Sequence, residues 1–144
     1  MHLSTKGRYA VMAMVDLARR GEAEGSVCLA EIAARQEISL AYLEQIFARL
    51  RRKGLVTSAW GPGGGYRLAK GPAETSIGAI VSAVDEPLQV TRCKTAAGCL
   101  TRGERCVTHD LWDALGRQIE RFLAGVSLED VAQGRLAQRL EAVA

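Results

Sequence analysis

Three cysteines and a histidine fall within 17 residues of one another: Cys93, Cys99, Cys106 and His109, with Gly98 and Gly103 between them. Thiolates and a neutral imidazole are strong ligands for a transition metal, and a glycine-containing loop can wrap them around one centre. Three cysteines cannot pair evenly into disulfides. The start Met1-His2-Leu3-Ser4-Thr5-Lys6 has no apolar signal-peptide core, so the reducing cytoplasm is the expected compartment and metal ligation the expected use of the thiols. The gaps of five, six and two residues between successive ligands lack the close cysteine knuckle of structural zinc sites. Iron-sulfur clusters accept wider spacing and occasionally a histidine ligand. Spacing therefore favours a cluster and keeps zinc as the alternative. Arg92, Lys94, Arg102 and Arg105 stand among the thiols and would stabilise their deprotonated form. Cys28 lies apart, just before an apolar helix, and reads as a small buried residue.

Helices on both sides must hold this loop. Upstream, Ser76 to Val84 reads as a short helix with Ile77, Ile80, Val81 and Val84 on one face, stopped before Pro87. The loop expected to bind the cluster then spans residues 91–109. A long helix over 108–123 follows, with Leu111, Leu115, Ile119, Phe122 and Leu123 at helical spacing. The winged domain described next needs little extra cover, so Leu111, Leu115, Ile119 and Phe122 are expected to form a homodimer interface. Residues 127 to 132 add one more turn, and 133–144 reads as a mobile tail.

The first half, 1–72, has the pattern of a DNA-binding module. Ser4 or Thr5 caps a helix to Arg20, with Val11, Met14, Val15 and Ala18 on one face and Gly21 and Gly25 ending it. A short helix from Leu29 to Arg35, the turn Gln36-Glu37-Ile38, and a third helix capped by Ser39 and running to about Lys53 form a helix-turn-helix. Gly54 to Trp60 and Tyr66 to Leu68 are β-prone segments around Gly61-Pro62-Gly63-Gly64-Gly65, the layout of a wing. No Lys-Ser/Thr pair or helix start follows those glycines, which excludes a phosphate-cradling nucleotide loop. The fold class is mainly α with a small β-hairpin wing: a winged helix-turn-helix plus a long dimerisation helix.

On a helical wheel Leu43, Ile46, Phe47 and Leu50 share one face of the third helix, and Ala41, Gln45, Ala48 and Arg52 the opposite one. Ser39, Ala41, Tyr42, Glu44 and Gln45, in the first turns, are placed to meet base edges in a major groove. Arg49, Arg51, Arg52 and Lys53 are better placed for phosphates. Charge agrees: residues 1–72 hold eleven Lys/Arg against six Asp/Glu, residues 73–144 eight against ten, within a net charge of +3. The longest apolar run, Ala10 to Val15, is far too short to span a bilayer, so no membrane partner is expected.

Four strings, Ser4-Thr5-Lys6-Gly7-Arg8-Tyr9-Ala10, Ile38-Ser39-Leu40-Ala41-Tyr42-Leu43-Glu44-Gln45, Gly61-Pro62-Gly63-Gly64-Gly65-Tyr66 and Cys106-x-x-His109-x-Leu111-Trp112, occur in order. Together they resemble the iron-sulfur cluster regulators of the Rrf family of bacterial transcription factors, over residues 1 to about 132. The resemblance implies a homodimeric regulator, not an enzyme, that binds a palindromic operator in double-stranded DNA. It also implies a 2Fe-2S cluster on Cys93, Cys99, Cys106 and His109, received from iron-sulfur assembly proteins, and control of assembly or related genes. Further DNA contacts are expected at Ser4, Thr5, Lys6 and Arg8 and, on the wing, at Trp60, Gly61, Gly63, Gly64 and Tyr66. Two positions depart from the pattern: the Cys99 to Cys106 gap is one residue longer than usual, so the loop must bulge, and Trp60 replaces an arginine. A nitric-oxide-sensing relative with a 4Fe-4S cluster is the nearest alternative, against which His109 argues. An iron-sulfur electron carrier and a zinc-stabilised regulator that senses nothing are the others.

Overall fold

The computed structural model describes residues 3–84 and 99–143. Cys93, Arg92 and Lys94 lie outside the described residues.

Helix α1 (Thr5–Glu24) starts where the Ser4 hydroxyl accepts the Gly7 amide N–H at 3.0 Å, and it runs through Gly21 to a cap at Gly25. Its buried face, Ala10, Ala13, Met14 and Leu17, forms the centre of the molecule and packs against both other helices of the first half. Helix α2 (Leu29–Gln36) buries Leu29, Ile32 and Ala33 against it. The turn into α3 (Leu40–Arg52) is made by Glu37 in the left-handed region at φ 55°, a conformation uncommon for a residue with a Cβ. Ser39 then caps α3, its hydroxyl accepting the Tyr42 N–H at 3.3 Å. Asp16, only 5% exposed, binds α2 to α1. It accepts Arg35 Nε at 3.0 Å and Nη2 at 2.7 Å, and Gln36 Nε2 at 2.8 Å. Burial raises the Asp16 carboxyl, but the hydrogen bonds from Arg35 and Gln36, helped by the guanidinium charge, outweigh it and hold its pKa below the ordinary carboxylate value.

Strands β1 (Val56–Ala59) and β2 (Gly65–Leu68) pair antiparallel, Val56 opposite Leu68 and Ala59 opposite Gly65. Val27 joins the hairpin by exchanging both backbone hydrogen bonds with Tyr66, at 2.9 and 2.8 Å. A 3-10 turn at Pro72–Glu74 leads to α4 (Ile77–Val84), which buries five of its eight residues. Helix α5 (His109–Gly125) packs on α4, and α6 (Leu128–Ala132) returns to α1, carrying Leu128 into the core.

Two expectations need correction. Cys28 is exposed, because the buried face of α2 begins at Leu29 and the preceding residue is its outward-facing cap. The segment expected as a tail from 133 carries a helix, α7 (Leu136–Val143). Leu136 packs on the core, and Arg139 pairs with Asp130, whose side chain completes the capping box of α6 with Ser127.

Candidate nucleic-acid interface and metal centre

The face of α3 opposite its core side is open. Leu43, Ile46, Phe47 and Leu50 are buried, while Ser39, Ala41, Glu44, Gln45 and Arg52 are exposed and Ala48 is half-buried. Tyr42 is half-buried, and its ring meets Tyr9 of α1 edge-on at 5.9 Å. Arg49, expected at a phosphate, donates from Nη1 to the Val84 carbonyl at 2.9 Å. It thereby ties the end of α3 to Val84, the last residue of α4. At the start of α1, Thr5 and Arg8 are exposed and Lys6 half-buried, and the Ser4 hydroxyl serves the helix cap.

The wing is fastened to this helix. Tyr66 is half-buried with its ring 4.9 Å from that of Phe47, so it positions the hairpin against the core. A side chain at Gly65 would collide with the Val27 backbone, which makes this close approach possible only for glycine. Beyond it Gly61, Gly63 and Trp60 are exposed and Gly64 half-buried. Ser26, which no motif marks as a fastener, donates its hydroxyl to the Gly63 carbonyl at 2.7 Å.

In the cysteine loop, Cys99 Sγ lies 3.2 Å from His109 Nδ1. This is hydrogen-bonding range; two ligands of one tetrahedral metal, at bond lengths of about 2.3 and 2.0 Å, stand about 3.5 Å apart, close to the separation of this donor pair. Both residues are half-buried, and His109 opens α5, where the helix dipole favours an anionic ligand set. Cys106 is also half-buried, with its Sγ 3.7 Å from Thr108 Oγ1, which accepts the Trp112 indole N–H at 3.0 Å. Thr108 was not singled out from the sequence, although its spacing of four from Trp112 is that of helical neighbours. The long Cys99 to Cys106 gap is taken up by a tight turn. Gly103 N–H donates to the Leu100 carbonyl at 2.9 Å, and the Glu104 carbonyl accepts from Cys99 at 3.2 Å and Leu100 at 3.1 Å. Arg102, expected beside the thiols, pairs with Glu104 at 3.8 Å. Among the described residues no three His, Cys, Asp or Glu form a metal-sized group.

Along α5, Leu111 is 58% and Phe122 45% exposed, and Leu115 and Ile119 are half-buried.

Residues 3–134 match the Rrf2 family model, described as an iron-dependent transcriptional regulator. The chain belongs to the Rrf2 family. It is 50% identical over 135 residues, 94% of this chain and 81% of the relative, to the HTH-type transcriptional regulator IscR of Serratia proteamaculans. To the IscR of Aliivibrio salmonicida it is 52% identical over 131 residues, 91% of this chain and 77% of that one. Among solved structures it is similar to T. potens IscR, with 36% identity, a TM-score of 0.76, and coverage of 96% of this chain and 90% of that one. CymR, the global cysteine regulator of B. subtilis, shares 32% identity and a TM-score of 0.74 over 92% of this chain and 97% of that one. This Rrf2 chain is an IscR-type helix-turn-helix transcriptional regulator with a winged-helix fold. No helix among its described residues is long and apolar enough to cross a membrane.

Proposed function

We propose that this Rrf2 regulator acts in the cytoplasm as a homodimer on palindromic DNA and senses iron-sulfur status through a 2Fe-2S cluster. Cys93, Cys99, Cys106 and His109 would hold the cluster, delivered by iron-sulfur assembly proteins, and the genes controlled would be those of cluster assembly or related ones. The observation that carries the reading is the 3.2 Å approach of Cys99 Sγ to His109 Nδ1, from residues ten apart. When bound, the cluster would supply a one-electron centre whose state or loss alters the charge at the loop.

The chain's own residues would turn that change into DNA choice. The ligand segment is bracketed by Val84, which Arg49 of α3 holds, and by His109, which begins α5. Binding at the segment would therefore bear on the end of the DNA-facing helix and on the start of the dimer helix together, resetting how two winged domains are spaced. Thr108, oriented by Trp112, keeps the Cys106 side of the loop against α5.

Anaerobically prepared protein should be coloured, with the absorption and Mössbauer signature of a two-iron cluster. Cys93→Ala, Cys99→Ala and Cys106→Ala should each bleach it without shifting the thermal transition of the winged half, because each removes an anionic ligand. His109→Cys should retain a cluster at lower potential. A colourless zinc protein would refute cluster sensing, and a four-iron spectrum would assign the 4Fe-4S alternative. Unchanged iron and sulfide content in the alanine variants would refute the ligand set.

A further inference from the structure

Trp60 is 94% exposed. Tryptophan presents about 150–250 Å² of coverable surface and an indole N–H, and in folded proteins both are normally covered or partnered. The other tryptophan of the chain, Trp112, follows that rule, half-buried with its N–H donated to Thr108.

The mount beneath Trp60 is built. Gly61 at φ 91° and Gly63 at φ 74° take left-handed conformations that permit the tight turn, closed by Gly64 N–H to the Gly61 carbonyl at 2.8 Å. Ser26 fastens Gly63 from outside the hairpin, and Tyr66 fastens the returning strand to Phe47 of α3. From Ala59 to Tyr66 the wing carries no charged residue, and the next cation, Arg67, lies alongside Gly25. The tip therefore has no charged side chain to hold phosphates. It offers a flat apolar ring on a fixed support, attached to the DNA-facing helix.

We propose that Trp60 is a specificity-determining wedge, its ring entering the minor groove beside the half-site faced by α3 and favouring flanks with easily unstacked pyrimidine–purine steps. The proposal rests on the DNA-binding reading above. Apolar wedges enter minor grooves by partly unstacking a base step, and TA and CA/TG steps yield most readily. An arginine at the same place instead seeks the narrow, electronegative groove of an A-tract. The two side chains also differ in salt response, since only the cation releases counterions.

The test uses the 144-residue chain, as wild type, Trp60→Ala and Trp60→Arg, to select from a randomised duplex library long enough for two half-sites and their flanks. Wild type should enrich pyrimidine–purine steps at the flanks, Trp60→Arg A-tracts, and Trp60→Ala neither, with the same inner half-site in all three. On the wild-type duplex, Trp60→Ala should weaken binding about tenfold, within the range of one aromatic stacking contact, with no change in salt slope. Trp60→Arg should steepen the slope of log affinity against log salt by about 0.9 for each additional phosphate neutralised. Equal thermal transitions would show that the substitutions leave the fold intact. Flank preferences independent of residue 60, or Trp60→Ala binding within about twofold of wild type, would overturn the wedge while leaving DNA binding standing. Enrichment of no duplex by wild type would overturn both.

Discussion

Helices α3 and α5 are both amphipathic, yet among the described residues α3 is covered far more completely than α5. Leu43, Ile46, Phe47 and Leu50 of α3 are all buried against α1, α4 and the wing. In the 17 residues of α5 Gly116 alone is buried, and Leu111 and Phe122 stand open. The contrast follows from packing: α3 meets α1, α2, α4 and β1, while α5 leans chiefly on α4. An apolar stripe states that something will cover a face. It does not state what, and a stripe left partly open, as on α5, is suited to the second copy proposed above.

The strongest test of this contrast is Leu115→Glu with Ile119→Glu. Two-fold symmetry counts each change twice, so the dimer would lose four apolar side chains worth about 1.5–3 kcal/mol each. We expect a monomer by sedimentation, weak binding to palindromic DNA, and an unchanged unfolding transition of the winged half. A wild-type monomer at micromolar concentration would remove the distinction between the two helices. Phe47→Ala is its counterpart in α3 and should cost about 3–5 kcal/mol of folding stability. Its midpoint in urea should fall, because Phe47 both fills the core and supports Tyr66; dimer and core roles would then be separated by which assay moves.

A smaller effect concerns acid. The Asp16 carboxyl is held below its ordinary pKa when folded, so its contribution is present above the unfolded value and lost as pH falls through the folded one. Asp16→Asn should be less stable than wild type at neutral pH, with the difference closing as pH drops below about 4. Urea titrations at several pH values check this, and a pH-independent difference would count against the Asp16–Arg35 link. The finest test reaches the exposed face of α3. Glu44, repelled by phosphates and tolerated where it accepts from cytosine, should on replacement by Ala weaken cytosine-bearing sites and strengthen others, changing discrimination by about 1–3 kcal/mol. Titrations at fixed salt on paired duplexes decide it, an equal change on both arguing for a plain solvent-facing glutamate.

Much of the first half was legible because its signals are local. Ser4 and Ser39 act as caps three residues from the amides they serve, and the buried set of α3 repeats within a helical turn. The glycine turn likewise announces the hairpin around it. Those features need only short-range backbone geometry, so residue type and spacing determined them. Other features arise where distant segments meet. Arg49 reaches Val84 across 35 residues, Ser26 reaches Gly63 across 37, and Cys99 closes on His109 through the turn at Gly103. Even Cys28 changes from a buried candidate to an exposed cap according to how α2 rotates against α1. Residue types and spacing thus determined the helices from α1 to α6, the wing and the chemistry available to the cysteine loop, but not α7, expected as a tail. Only the tertiary structure decided which donors converge, which arginine is already occupied and which apolar face stands open, because a side chain's partner depends on where the folded chain returns.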